Sequence, residues 1–274
     1  MRRTVTVRVE TGDRHGQTLL APVGMPTPYQ MPVGFAVEGA SFALTVETAT
    51  GQMAAVITAD AGAPVILKYA YQDGGMAYPE ALFTPRDNRF TRAADALVDD
   101  ARHIAGQAAG GGTAIARIAN AVAAKFRYGH PEKRFNDGAD AVPHLACGLT
   151  EGSCVDIKTY LIAMLRAAGF EAGYVVGYFF PAEKQGRCDD MHCWVVTRHE
   201  GVVTEWDIAH HMKLGRTDIA GGLNPKPGER VATGHSMGLD FPELSIRGLK
   251  LLAEPVWVAA DGATEESRVD IRIV

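Results

Sequence analysis

Three residues in the second half of the chain have the types and order of a nucleophilic site: Cys154, His192 and Asp207. Cys154 follows Ser153, a good helix N-cap, and Asp156 falls three positions after that cap, as in a capping box. This predicts Cys154 at the first position of a helix. Backbone N–H groups lack partners there, and the helix dipole favours an anion. The thiolate is the reactive form of cysteine, and a helix N-terminus lowers its pKa. The same N–H groups suit an oxyanion on an attacked carbonyl. Gly152 is read as leaving the approach to the sulfur uncrowded. Taken alone, such a cysteine is more often a small buried hydrophobe.

His192 changes the balance. It lies in an apolar run at 191–196, a predicted strand in which His192, Trp194 and Val196 share a face. A cysteine nucleophile needs an imidazole to take its proton and return it to the leaving group. A lone strand histidine is more often structural. Asp207 supplies the third part. It closes the next predicted strand, 202–207, after a turn at 198–201. Residues equidistant from a hairpin turn face each other, so His192 and Asp207 are expected as near cross-strand neighbours. A carboxylate there fixes the imidazole tautomer, as a triad requires. Glu205 competes for this role but sits two residues nearer the turn.

The remaining candidates carry less. His210 and His211 are expected in a solvated loop. Cys193 should pack on the face opposite His192, and Trp194 either shields the imidazole or fills core. Cys188 sits in a charged stretch and reads as an exposed bystander thiol. Asp156 reads as a cap.

These residues need elements to hold them. Residues 1–85 read as β: alternation at 4–9 and 41–47, a β-branched and aromatic run at 65–71, and Gly or Pro between them, including Gly62. Near Pro85 the character becomes helical. An Ala-rich stretch begins at 91, Gly110, Gly111 and Gly112 break it, and Thr113 is the expected N-cap of a helix burying Ile115, Ile118, Ala119 and Val122. A turn-rich loop spans 130–150. A helix over 153–168 ends at Gly169. Strands follow at 172–180, 191–197 and 202–207, and the tail from Leu223 is Gly- and Pro-rich, with strands at 249–258 and 269–274. Helices followed by strands argue for an α+β fold. The expected organisation is an N-terminal β-sandwich-like domain over 1–88 and a catalytic domain over 89–274.

The chain has 274 residues, 47% hydrophobic and 22% charged, with a net charge of −5. Its charges are interspersed, which argues against a nucleic-acid groove. No apolar run reaches the roughly 18 residues of a membrane span, and no apolar signal region follows the N-terminus. A cytoplasmic location is expected. The four cysteines, Cys147, Cys154, Cys188 and Cys193, cluster mid-chain. No C-x-x-C pair is present, so neither a structural zinc nor a disulfide framework is expected.

The sequence resembles the transglutaminase-like superfamily, whose active site follows papain-like logic. The resemblance rests on Gly152, Ser153, Cys154, Val155 and Asp156, with Tyr160 and Leu161, then on 165–169. It continues through Ala172 and 175–178 to 192–196, and ends at Trp206 and Asp207. It covers roughly residues 90–215. It implies a papain-like transglutaminase core with Cys154 as nucleophile, His192 as general base and acid, and Asp207 as the orienting residue. The implied chemistry is attack on an amide carbonyl, a thioester acyl-enzyme, and transfer to water or an amine, with a peptide or amide substrate and no cofactor or metal. Gly173 stands where the family usually has Arg, and Ile208 and Ala209 stand where Pro and Thr often follow the Asp. Two rivals remain: a non-catalytic binding module that keeps the fold, and a metal-dependent hydrolase using Cys154, Cys188, His192, His210 or His211. Absence of thiol reactivity at Cys154 favours the first, and stoichiometric zinc favours the second.

Overall fold

The computed structural model describes every residue except Met1, His15, Ala61, Gly62 and Leu223. The turn expected at Gly62 and the first residue of the tail therefore lie outside the described residues. By contacts the chain divides into two units. One comprises Met1–Ala81, Val176–His192 and Pro227–Val274, and the other Leu82–Val175 and Cys193–Lys226. The expected boundary at 88/89 made the units consecutive. The first break falls near it, but the C-terminal stretch returns to the N-terminal unit. The reason is strand pairing. Val269–Ile273 runs antiparallel to Arg2–Val9, from Val5 opposite Ile273 to Val9 opposite Val269.

The first unit is a sandwich of two five-stranded antiparallel sheets. One runs in the order Arg187–Cys188, Val269–Ile273, Arg2–Val9, Val65–Asp73, Gln30–Glu38. The other runs Thr264–Glu266, Val256–Val258, Thr18–Pro22, Met53–Ala59, Ala40–Val46. Their inner faces share one core, built from alternate residues such as Val5, Val7, Leu19, Ala21, Ile57, Leu67, Tyr69 and Ile271. Each such side chain contributes roughly 1.5–3 kcal/mol on burial. The strands at 18–22, 30–38 and 53–59 were not singled out from the sequence. Pro32 sits on an edge strand at a register shift, where its missing N–H costs no ladder bond. The strand expected over 249–258 shortens to Val256–Val258. The apolar alternation at 41–47 points outward, with Phe42, Leu44 and Val46 exposed on an edge strand.

The second unit holds four helices: α1 (Asp95–Gly106), α2 (Gly111–Lys125), α3 (Cys154–Ala167) and α4 (Ile208–Lys213). In α2 the expected residues, Ile115, Ile118, Ala119 and Val122, are buried. The helix starts earlier than expected, with Gly110 rather than Thr113 at its N-cap. Gly111 is pressed against the His199 ring, which a Cβ would meet at 2.0 Å, so the helix entry is fixed by packing rather than by a capping side chain. In α3 every residue from Cys154 to Leu165 is buried. A short parallel pair, Phe126–Tyr128 with Thr150–Gly152, leads into it. Within this unit Val202–Trp206 runs antiparallel to residues 195–199, from Val195 opposite Trp206 to His199 opposite Val202. Glu200 and Gly201 make the hairpin turn, with φ of 50° and 77°. Two left-handed residues match the strand twist. No helix is long and apolar enough to cross a membrane among the described residues.

Candidate active site

Cys154 occupies the first position of α3, as its sequence neighbours predict, and is 7% exposed. The capping box is complete. Asp156 accepts from the Ser153 backbone N–H at 2.8 Å and from its hydroxyl at 2.7 Å, while the Asp156 N–H donates to Ser153 Oγ at 3.5 Å. Asp156 is thus a cap, as expected. Gly152 has a different role from the one expected. A Cβ there would lie 2.9 Å from the Phe126 ring and 3.0 Å from Asp156 Cβ, so glycine is required by packing behind the helix start.

Cys193 is fully buried in the Met191–His199 strand, as expected. Its thiol is pushed well above the usual range, first by burial and then by hydrogen bonding with Cys154; the Lys158 charge and the Tyr174 hydroxyl oppose this. The Tyr174 phenol is raised by burial as well. Its hydroxyl makes no hydrogen bond of regular geometry, so its contact with the Cys193 sulfur is a loose one.

Asp207 does not end a strand. It is the N-cap of α4, and its Oδ1 accepts from the His210 backbone N–H at 3.3 Å. Lys158 Nζ also donates to Oδ1, at 3.1 Å, with both side chains at 0% exposure. Asn224 Nδ2 donates to Oδ2 at 2.6 Å and also contacts His210 Nδ1. His210 Nδ1 also lies 3.3 Å from Asp207 Oδ2. Lys158 and Asn224 were not singled out from the sequence. Their only signal was a lysine on the buried side of a helix.

His210 and His211 are both buried within α4 rather than in a solvated loop. Both ring nitrogens of His211 are engaged. Nδ1 lies 2.8 Å from the Asp207 carbonyl oxygen, and Nε2 accepts from the Ala220 N–H at 3.3 Å. This removes His211 from the metal-ligand set considered above. Cys188 belongs to the sandwich unit and is buried, contrary to the expectation of an exposed thiol. Its thiol donates to the Asp190 carbonyl at 2.9 Å and is pushed up to about 11, chiefly by burial. His192 is buried on the Met191–His199 strand, immediately before Cys193, with the Phe179 ring 5.9 Å from its own.

The second unit thus carries a buried cysteine at the start of α3 and, after a strand hairpin, an aspartate that caps α4. Residues 99–203 match the family model of the transglutaminase-like superfamily, and this part of the chain is a transglutaminase-like core. Among solved structures, the chain is similar to a candidate cysteine protease from Cytophaga hutchinsonii. That likeness has a TM-score of 0.51 at 14% identity and covers 100% of this chain and 96% of that one. It is also similar to the periplasmic domain of TgpA from Pseudomonas aeruginosa, with a TM-score of 0.41, 13% identity, and coverage of 78% of this chain and 90% of that one. A comparison with curated proteins gives no match. At the level of the superfamily the family match supports a cysteine-based enzyme.

Proposed function

We propose that the protein is an acyl-transfer enzyme acting on an amide or peptide bond, with Cys154 as nucleophile, His192 as general base and acid, and Asp207 as the orienting carboxylate. Water is the preferred acceptor. The thiolate attacks the carbonyl carbon, and the C–N bond breaks as the imidazolium protonates the leaving amine. Water, deprotonated by the same imidazole, then cleaves the thioester and restores the thiol. Hydrolysis is preferred to crosslinking because no feature of the site announces an amine pocket that excludes water.

The observation that carries this reading is the placement of Cys154 in the first turn of a capped, buried helix. There the N-terminal N–H groups favour a thiolate and suit a developing oxyanion. Strand register adds support. Val195 pairs with Trp206, so Asp207 stands level with Trp194. Alternation gives His192 the face of Trp194, two residues further on. Near cross-strand neighbours were expected, and this register implies a diagonal relation.

The test is the pH dependence of iodoacetamide alkylation, mapped to each cysteine by mass spectrometry, in wild type and His192→Ala. Cys154 is expected to react fastest, and well below the roughly 8.5 pKa of a free thiol. That low-pH reactivity should vanish without His192. An ordinary or inert Cys154 in both proteins would leave the binding-module and metal-dependent readings in its place.

A further inference from the structure

Lys158 is a cation in the wrong place for a stabilising core. It lies one turn after Cys154 on α3, and its side chain is fully enclosed. Lysine is almost never fully buried unless paired. An apolar side chain of similar volume in place of a buried ion pair is often neutral or stabilising. Nor does Asp207 need the lysine to act as a helix cap, since it already accepts from the His210 N–H. The ammonium therefore adds something that folding does not demand. Its position shows what that is. It donates to Oδ1 of Asp207 while Asn224 holds Oδ2, so the carboxylate is fixed from both ends.

We propose that Lys158 is a positioning residue of the Cys154 site, whose enclosed ammonium pins Asp207 and keeps its carboxylate ionised so that it can orient and stabilise an imidazolium. The inference rests on the triad reading above. A carboxylate shielded from water takes up a proton more readily unless an opposite charge stands beside it. A protonated Asp207 would still be a cap but would no longer stabilise a charged imidazole. The other titratable groups around this cluster come from four elements. Cys154 and Asp156 lie on α3, Tyr174 on Glu171–Pro181, Cys193 on Met191–His199 after His192, and His210 on α4. Asp156 is committed to its capping box, Tyr174 and Cys193 are held protonated by burial, and His210 contacts Asn224. Lys158 is the cation whose donated hydrogen bond reaches the Asp207 carboxylate from α3.

The experiment compares the acid limb of Cys154 alkylation in wild type, Lys158→Met and Lys158→Gln, with far-ultraviolet circular dichroism to establish folding. Glutamine keeps a hydrogen-bond donor but not the charge. Both variants are expected to move the limb up by about one pH unit, an approximately tenfold slower reaction on the acid side. A folded variant with the wild-type limb overturns the role of Lys158 and leaves the triad standing. A wild type with no His192-dependent limb overturns both. Carbon-13 carboxyl resonances of the wild type, assigned with Asp207→Asn, give a second reading that needs no Lys158 variant. Asp207 should stay ionised to below about pH 4, the ordinary value for aspartate, and protonation above that overturns the proposal.

Discussion

Ser153 and Asp156 close a ring of hydrogen bonds around the backbone that presents Cys154. Both oxygens of the serine–aspartate exchange are buried, so the pair is shielded from competing water. Ser153→Ala removes the side-chain acceptor of the Asp156 N–H and the hydroxyl donor to its carboxylate. The expected cost is about 1–2 kcal/mol, read as a lowered urea midpoint at unchanged slope. A midpoint equal to wild type would show that the helix start does not depend on this exchange. Asn224 has a comparable part at the other end of the site. It contacts both Asp207 and His210 and so ties the two side chains together. Asn224→Asp places a second acid beside Asp207, so it should slow low-pH alkylation of Cys154, as two close carboxylates compete for one proton.

Among the elements, the Glu171–Pro181 strand shows why one residue departs from the family pattern. Gly173 backs directly onto Leu82. A Cβ would lie 2.2 Å from Leu82 Cγ, 2.5 Å from Cδ1 and 2.6 Å from its carbonyl oxygen. Leu82 is itself fully buried and cannot move aside. An arginine at this position has no room, so its absence reflects close packing. Gly173→Ala is expected to destabilise the protein by roughly 1–3 kcal/mol as an overpacked core position. Thermal unfolding measures this, and an alanine variant of wild-type stability would mean that Leu82 has a free alternative rotamer. The hairpin after Met191–His199 is fixed equally locally. Its left-handed Glu200 and Gly201 set a two-residue turn, and that turn sets the register that brings Asp207 level with Trp194.

At the scale of the whole molecule, stability is expected to depend on pH through one carboxylic acid of the sandwich unit. Glu254, in the sandwich unit, is pushed up to about 7 by burial first and by the charges of Asp190 and Glu266 next; the Met191 N–H offsets part of this. Its folded pKa thus lies above the ordinary glutamate value of 4.5. The folded state holds the extra proton, so this stabilisation is complete below about pH 4.5 and is lost as pH rises through about 7. The window is worth on the order of 3 kcal/mol. Glu254→Gln should remove the dependence. The variant should therefore gain on wild type between pH 5 and 8 in urea unfolding, these being the approximate ends of that window. A difference that stays constant with pH would mean that Glu254 is not protonated in the folded protein.

The sequence by itself determined what is local. The capping box at Ser153, the buried face of α2 and the hairpin before Asp207 are each written in residues a few positions apart, where propensity, caps and turn chemistry act. Tertiary structure decided what depends on distant partners. It returned the C-terminal strand to the N-terminal sheet, because backbone pairing of remote segments carries no local signature. It turned Phe42, Leu44 and Val46 outward, because alternation fixes a shared face but not which face meets the core. It buried Cys188, whose charged neighbours in sequence suggested solvent, and His210 and His211, which were expected in a loop after a strand. And it set Lys158 against Asp207, since a lysine on a helix declares a charge but only packing can deny that charge water and hand it a partner.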